Sequence, residues 1–233
     1  MGYSCFDESF STLSVQARRI TLSAEADAVK SDARERRMNL KSLCVYCGSS
    51  PGLCPAYIEA AEVFGHLIAT EGIRLVYGGG NSGLMGALAD SVLQAGGEVI
   101  GVIPEPMVAK ELAHNGLTEL HRVESMHERK MKMAELADAF VALPGGAGTM
   151  EEIFEAFTWM QLGIHLKPCA FLDVEHYYAH LFQFLDHMAE QRFIKEEQLA
   201  CLIRGNDPND LLTKLRCYTP AVTDKWIDRK PTA

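Results

Sequence analysis

The sequence predicts a doubly wound α/β fold, in which a mainly parallel sheet carries helices on both faces. Short, continuous apolar runs alternate with amphipathic segments of helical period, a pattern typical of parallel strands covered by helices. Two of the apolar runs end in glycine-rich turns, at residues 78–83 and 144–149. Ligands of such sheets bind at the carboxyl ends of the strands. We therefore expect the active site at these two turns.

The first half of the fold is predicted from apolar runs punctuated by proline and glycine. Pro55 suits the first turn of a helix, Gly72 stops that helix, and Gly96-Gly97 close the next one. We expect, in order, strand 43–47, helix 55–71, strand 73–77, helix 84–94 and strand 98–103.

The second half of the fold is predicted mainly from helix-capping motifs. Ser125 and Glu128 form a Ser-x-x-Glu capping box, which predicts a helix start, and we interpret Thr149 and Glu152 as a second box. The helix after Thr149 carries apolar residues at the helical period, and Asp207-Pro208 opens the last of two or three C-terminal helices. The other expected elements are strand 118–123, helix 125–137, strand 139–143 and strand 169–172.

Length and composition divide the 233 residues into one domain and two extensions. A chain of this size buries a sizeable core without disulfides or metals. Residues 1–39 are polar and end in a charge cluster at 32–37, so we predict a flexible N-terminal extension, with Met38 as a candidate native start. Residues 40–220 form the predicted Rossmann-like domain, and residues 221–233 a C-terminal tail.

Charge and cysteine content exclude several classes of partner. A net charge of −9 argues against a nucleic-acid or membrane-surface binder, because anionic polymers are repelled. No apolar stretch approaches the ~20 residues of a membrane span. Seven cysteines are an odd number in a chain that needs no disulfides, so we expect reduced thiols and a cytoplasmic location. Cys44 and Cys47 would point to opposite faces of a strand, which favours packing over a redox pair or a shared metal.

The first glycine turn matches part of a dinucleotide-binding fingerprint. Gly78-x-Gly80-x-x-Gly83 lies between a predicted strand and a predicted helix. The full fingerprint also needs an acidic residue near the end of the next strand, to bind the ribose. Glu98 has roughly the right spacing but begins its strand, at the end away from the ligand. A tight turn that lets a helix approach the sheet is therefore favoured over a nicotinamide site.

The second glycine turn is the better candidate for an anion site. Glycines at 145, 146 and 148 allow backbone N–H groups to converge on an anion at a helix N-terminus. No Lys-Ser or Lys-Thr follows, so the turn is not a Walker A loop. Glu152 has two interpretations: it completes a capping box, or it reaches the ribose attached to a bound phosphate.

A second observation that bears on an anion site is a pair of basic residues in the first turns of a predicted helix. Arg129 and Lys130 lie where the helix dipole opposes a positive charge. They are explained either by a solvated basic face or by an anionic ligand. His127 beside them is either a helix-start residue or a proton donor.

Taken together, these motifs resemble the Lonely Guy family of cytokinin-activating enzymes. The resemblance covers residues 41–215 and depends on the combination of an Arg-Lys pair with a Pro-Gly-Gly-x-Gly-Thr-x-x-Glu turn. The matching segments are Met126-His-Glu-Arg-Lys130, Pro144-Gly-Gly-Ala-Gly-Thr-Met-Glu-Glu152, Cys47-Gly-Ser-Ser50, Tyr77-Gly-Gly-Gly80, Gly83-Leu-Met-Gly86 and Thr158-Trp-Met-Gln-Leu-Gly-Ile-His165.

The resemblance implies hydrolysis of the N-glycosidic bond in a cytokinin riboside 5′-monophosphate, with AMP as a further candidate substrate, and without a metal or cofactor. It assigns Arg129 and Glu152 as the catalytic pair. It also implies a homodimer, to which we add that Phe157, Trp159 and Met160 exceed the needs of one core. The substrate-binding positions that it implies are Glu111, Arg129, Lys130, Gly145, Gly146, Ala147, Gly148, Thr149, Met150, Glu151, Glu152 and Thr158.

The implied reaction agrees with the chemistry of these residue types. Cleavage of a ribosyl–base bond builds positive charge on the sugar, which a carboxylate such as Glu152 stabilises. Arg129 neutralises charge but does not readily release a proton, so the source of the proton for the leaving base stays open. Three other readings are a non-catalytic nucleotide or cofactor carrier, a nicotinamide dehydrogenase and a pyridoxal-phosphate decarboxylase. The presence of both Arg129 and Glu152 favours the hydrolase.

Overall fold

A seven-stranded parallel sheet forms the centre of the computed structural model, which describes residues 38–108 and 113–220. The strands lie in the spatial order 4-3-2-1-5-6-7, and every neighbouring pair is parallel. In chain order they are β1 (Ser42–Tyr46), β2 (Arg74–Tyr77), β3 (Val99–Pro104), β4 (Glu119–Val123), β5 (Ala139–Ala142), β6 (Cys169–Leu172) and β7 (Leu202–Gly205).

Helices connect the successive strands, which confirms the predicted α/β class. A 3₁₀ turn at Val174–His176 follows β6. In chain order the α-helices are α1 (Ala56–Thr70), α2 (Gly83–Gln94), α3 (Glu105–Val108), α4 (Met126–Leu136), α5 (Ala147–Gln161), α6 (Ala179–Glu190), α7 (Glu196–Leu199) and α8 (Pro208–Arg216).

Both faces of the sheet are covered, which explains its continuous apolar strands. All residues of β1, β5 and β6 are buried. Cys44 and Phe140 belong to the core cluster that includes Met133 of α4 and Ile153 of α5. Burial of about 25 cal/mol per Å² of apolar surface is the main force that holds such layers together.

The strand order places a topological switch point between β1 and β5. From β1 the chain adds strands outward to β4, then returns to β5 on the other side of β1 and continues to β7. Ligands of doubly wound sheets bind in the crevice where the strand order reverses. The turns after β1, β2 and β5 therefore meet where a site is expected.

The capping prediction is confirmed at α4 and wrong at α5. Ser125 Oγ accepts a hydrogen bond from the Glu128 N–H (3.1 Å) and is the N-cap of α4. The N-cap of α5 is Gly146, without a side-chain cap, and Thr149 lies inside the helix, 4 % exposed. Because glycines at the turn allow the helix to begin earlier, Glu152 falls in the second turn of α5, where no cap is needed.

The packing corrects one expectation and adds one strand. Phe157, expected to exceed the needs of one core, is 3 % exposed and belongs to the core cluster. Strand β7 was not predicted, because its sequence, LIRG, has only two apolar residues.

The predicted extensions fall almost entirely outside the described residues. Residues 1–37 and 221–233 are not described, so the N-terminal extension and the C-terminal tail stay predictions. Among the described residues, those from Asn39 onward belong to one compact unit. Within residues 38–108 and 113–220, no helix has the length and apolarity to span a bilayer.

Candidate active site

Three turns meet at the carboxyl edge of the sheet. The Gly48 N–H, just after β1, donates to Pro144 O after β5 (3.0 Å), and the Leu84 N–H at the start of α2 donates to Gly48 O (3.0 Å). A Cβ on Gly83 would collide with the Ser49 backbone, so the turn after β2 packs against the turn after β1. The two glycine turns predicted as the site are thus joined through a third turn, at Gly48.

Arg129 is fixed by backbone carbonyls from two different strands. It leaves the first turns of α4 and is 7 % exposed. Its Nε donates to Val102 O on β3 (3.0 Å), and its Nη2 donates to Gly78 O after β2 (3.3 Å). A Cβ on Gly78 would collide with Nη2. The absence of a side chain at Gly78, in the first glycine turn, therefore leaves room for the Arg129 guanidinium.

Glu152 completes a nearly buried ion pair with Arg129. Its Oε1 lies 3.4 Å from Arg129 Nη1, and the two side chains are 13 % and 9 % exposed. The carboxylate also lies close to the thiol of Cys47, whose pKa is raised by burial and then by the charge of Glu152. A fixed cation and a fixed anion are thus held together at the switch point, with little water around them.

Lys130 makes a different set of contacts from its neighbour Arg129. Its Nζ lies 2.6 Å from Glu151 Oε1 and 3.0 Å from Glu155 Oε2, both on α5. Burial alone would lower the pKa of this lysine, but the hydrogen bonds and charges of the two carboxylates outweigh burial and raise the pKa. Lys130 therefore stays protonated and ties α4 to α5.

Two tyrosine hydroxyls donate hydrogen bonds to backbone carbonyls in the second glycine turn and just before it. Tyr177 Oη donates to Gly145 O (2.6 Å), and Tyr178 Oη donates to Leu143 O (2.5 Å). A Cβ on Gly145 would collide with the Thr149 side chain and approach Gly48 N to 2.9 Å. The turn is therefore close-packed, and glycine is required at 145.

The first backbone N–H groups of α5 are suited to an anion. The first four N–H groups of a helix have no partner within it, and the helix dipole favours a negative charge there. Residues 146–148 of this turn are exposed. A phosphate can therefore approach these N–H groups without displacing protein.

The structure brings together most, but not all, of the predicted site residues. Arg129, Lys130 and the segment 145–152 lie together, whereas Thr158 is exposed on α5, six residues beyond Glu152. Six residues place Thr158 about 9 Å along the helix and on a different side of it. Glu111 lies outside the described residues. His127 is exposed on α4, about 200° around the helix from Arg129, so it does not face the ion pair.

Tyr177 and Tyr178 are site residues that sequence reasoning missed. They lie 32 and 35 residues after their carbonyl partners, beyond strand β6. Two adjacent tyrosines just after a buried strand were the only signal, and a core role explains that signal equally well.

A cavity of about 270 Å³ lies beside the second glycine turn, and neither Arg129 nor Glu152 lines it. It is lined by Gly48, Ser49, Ser50, Pro51, Gly52, Tyr57, Leu84, Pro144, Gly145, Gly146 and Tyr177. The Arg129–Glu152 pair therefore lies outside this cavity.

The structure weakens the nicotinamide alternative. Glu98 precedes β3 at the amino end of the sheet, where its Oε2 lies 2.7 Å from Arg74 Nε. It is therefore at the opposite end of the strands from the glycine turns. In the part of the chain that the structure describes, no three His, Cys, Asp or Glu side chains converge as metal ligands would.

The chain is similar to one described protein family and to several named proteins. A family described as "Possible lysine decarboxylase" matches residues 85–215. The chain is 52 % identical over 183 residues to a cytokinin riboside 5′-monophosphate phosphoribohydrolase from Rhodococcoides fascians, an alignment that covers 78 % of this chain and 92 % of the relative. It is 43 % identical over 199 residues to cytokinin riboside 5′-monophosphate phosphoribohydrolase LOG from Oryza sativa subsp. japonica, covering 84 % and 82 %.

Solved structures support the fold independently. A molybdenum cofactor binding protein from Rippkaea orientalis superposes with a TM-score of 0.57 at 21 % identity, covering 75 % of this chain and 94 % of that protein. At this identity the likeness concerns the fold alone. The fold is therefore shared with a cofactor-binding protein, while the sequence relatives carry the phosphoribohydrolase name. By sequence identity along most of its length, the chain belongs to the Lonely Guy family, the family of the cytokinin riboside 5′-monophosphate phosphoribohydrolases.

Proposed function

We propose that this protein hydrolyses the N-glycosidic bond of cytokinin riboside 5′-monophosphates, releasing the free N6-substituted adenine and ribose 5-phosphate. The observation that carries the proposal is the nearly buried Arg129–Glu152 pair beside a glycine turn suited to a phosphate. The names of the curated relatives support the same reaction.

In the proposed mechanism, Glu152 acts on the ribose. As the bond between C1′ and the base nitrogen breaks, positive charge develops on the sugar, and a carboxylate fixed in a dry site stabilises that charge. Glu152 also orients the water whose oxygen bonds to C1′. The bonding electrons leave with the base nitrogen, which takes up a proton.

Arg129 acts by charge and position rather than by proton transfer. Its guanidinium keeps its proton at ordinary pH, and its Nε and Nη2 already donate to two backbone carbonyls. It therefore holds the Glu152 carboxylate in place and offers positive charge to the departing base. No described side chain is assigned as the proton donor.

The 5′-phosphate is proposed to bind at the start of α5. The N–H groups of residues 145–149 and the helix dipole supply the attraction. Lys130 contributes by neutralising Glu151 and Glu155, whose charges would otherwise repel the phosphate. The same contacts argue against Lys130 as the Schiff-base lysine of a pyridoxal-phosphate decarboxylase, because such a lysine needs a lowered pKa and that of Lys130 is raised.

One incubation tests the proposal. The protein is mixed separately with N6-isopentenyl-AMP, AMP and N6-isopentenyladenosine, and the free base and ribose 5-phosphate are quantified. We expect both nucleotides to release base and the riboside to release far less, because only the nucleotides carry the phosphate. Comparable turnover of the riboside would contradict the phosphate assignment, and no release from either nucleotide would contradict the hydrolase.

We also propose that the protein is a homodimer, assembled through the end of α5 and the loop that follows. Three large apolar side chains are exposed there, and Thr158 is exposed on the same helix. Contiguous exposed apolar surface marks association sites. The three are Leu162 (43 %), Ile164 (63 %) and Leu166 (51 %). Light scattering at micromolar concentration should give twice the chain mass, and Ile164→Asp should shift the protein toward monomer.

A cytoplasmic location completes the proposal. All six cysteines among the described residues are free thiols, which is the state kept by a reducing compartment. Fractionation of the source cells, with a disulfide-bonded secreted protein as control, would test the location.

A further inference from the structure

The hydroxyl of Tyr177 contacts the glycine turn that the proposed function assigns to the phosphate. Tyr177 follows the 3₁₀ turn, is 42 % exposed, and its Oη donates to Gly145 O at 2.6 Å. Its ring packs edge-on against Tyr57 (5.6 Å between centroids) and Tyr178 (4.9 Å). The ring is thus held by neighbours on both sides, and its hydroxyl is aimed at one carbonyl of the turn.

The backbone before Tyr177 supports this placement. Glu175 and His176 both adopt left-handed conformations, with φ of 51° and 56°, which non-glycine residues rarely do. Asp173 anchors the reversal, because its N–H donates to Gly205 O (2.7 Å) and its Oδ1 accepts from the Tyr178 N–H (2.8 Å). The segment is therefore fixed to β7 on one side and to the glycine turn on the other.

The contact determines the direction of an N–H group. In a trans peptide, the C=O and the following N–H point in opposite directions, and the described residues contain no cis peptide. With Gly145 O turned toward Tyr177, the Gly146 N–H points away from Tyr177. In the same way, the Gly48 N–H on Pro144 O turns the Gly145 N–H away from Gly48. Both carbonyls are held, and two successive N–H groups are thereby oriented.

We propose that Tyr177 is a positioning residue for phosphate binding: its hydroxyl fixes the Gly145–Gly146 peptide, so that the Gly146 N–H is oriented before the substrate arrives. This inference rests on the proposed function, in that it takes the start of α5 as the phosphate site. Tyr177 acts through the peptide and does not touch the reacting atoms. Glycine at 145 and 146 allows the peptide to rotate, so a turn of this composition needs such a restraint.

Tyr177→Phe isolates the hydroxyl, because it removes one O–H and keeps the ring against Tyr57 and Tyr178. Tyr57→Phe is the matched control: within residues 38–108 and 113–220 the Tyr57 hydroxyl makes no hydrogen bond, and only its ring contacts Tyr177. The measurements are the Kd of ribose 5-phosphate by calorimetry, and kcat and KM for N6-isopentenyl-AMP and for its riboside. Melting temperature is recorded for each variant.

We expect Tyr177→Phe to weaken binding of ribose 5-phosphate and to raise KM for the nucleotide by about 3- to 10-fold, the effect of one neutral hydrogen bond. We expect little change in kcat or in the slow turnover of the riboside, which has no phosphate. Tyr57→Phe should match the wild-type protein. Unchanged binding of ribose 5-phosphate by Tyr177→Phe would overturn the inference, as would equal losses with nucleotide and riboside.

A third variant separates the hydroxyl from the ring, and the outcomes also separate this inference from the proposed function. If Tyr177→Leu fails where Tyr177→Phe equals wild type, the ring matters and the hydroxyl does not, and the inference is wrong. If the wild-type protein binds ribose 5-phosphate but releases no base, only the hydrolase proposal fails. If the wild-type protein does not bind ribose 5-phosphate, the phosphate site and the role of Tyr177 are both refuted.

Discussion

Replacement of Glu152 by Gln tests the assignment on which the proposed chemistry depends. The change keeps the size of the side chain and one oxygen that accepts a hydrogen bond, and it removes the negative charge 3.4 Å from Arg129 Nη1. Glu152 is not part of a helix cap, since α5 is capped at Gly146. The change therefore leaves the helix cap intact and removes the negative charge beside Arg129.

The expected magnitudes follow from the burial of the pair. At 3.4 Å and an effective dielectric constant near 20, the gross attraction of the two charges is about 5 kcal/mol, and desolvation offsets much of it. Because the amide oxygen still accepts from the guanidinium, we expect a loss of about 1–3 kcal/mol in the free energy of unfolding. Turnover should fall by about 10²- to 10³-fold, as when one preorganised electrostatic group is removed.

An exposed arginine–glutamate pair provides the control. Glu98→Gln makes the same chemical change beside Arg74, at the opposite end of the sheet, where the two side chains are 57 % and 46 % exposed. Exposed pairs contribute about 0–1 kcal/mol, so Glu98→Gln should keep both stability and turnover. Free base is quantified by chromatography under saturating nucleotide, and stability by urea unfolding.

Two results would contradict the catalytic role of Glu152. If Glu152→Gln loses stability as expected but retains more than about a third of wild-type turnover per folded molecule, the pair is structural. If it binds AMP more than about tenfold more weakly than wild type, Glu152 holds the ground-state substrate rather than the transition state.

Three further predictions concern the second glycine turn, the lysine beside the ion pair and a half-buried histidine. Gly145→Ala places a methyl group against Thr149, so we expect about 1–3 kcal/mol of destabilisation and loss of ribose 5-phosphate binding, measured by urea unfolding and calorimetry. Lys130→Met leaves two carboxylates of α5 unneutralised, so KM for the nucleotide should rise at least tenfold while that of the riboside stays constant. Burial, and then the charge of Lys167, lowers the pKa of His165 to about 4. Because this pKa lies below the ordinary value of 6.5, the unfolded chain binds a proton at His165 more readily than the folded protein does. The free energy of unfolding is therefore highest above pH 6.5 and decreases as the pH falls toward 4. His165→Phe should reduce that acid sensitivity in unfolding experiments between pH 4 and 7; an unchanged pH profile would exclude His165 as its source.

Local chemistry made much of the fold predictable from the sequence. Continuous apolar runs such as that of β1 are explained by burial on both faces of a parallel sheet. Ser125 is confirmed as a cap because capping depends on residues only three apart. At Thr149 the same rule failed, since the glycines before it let the helix start earlier. Where two local rules compete, spacing alone does not decide between them.

The amino-acid sequence by itself determined the α/β class, the two glycine turns and the Arg-Lys pair with Glu152, since these depend on composition, periodicity and a specific motif. Only the tertiary structure decided what these residues touch. Arg129 donates to carbonyls 27 and 51 residues away, and Tyr177 reaches a carbonyl 32 residues before it. Periodicity tells which face of a strand is buried but not which strands are neighbours. The strand order, set by packing of the whole sheet, brings the ends of β2, β3 and β5 around one ion pair.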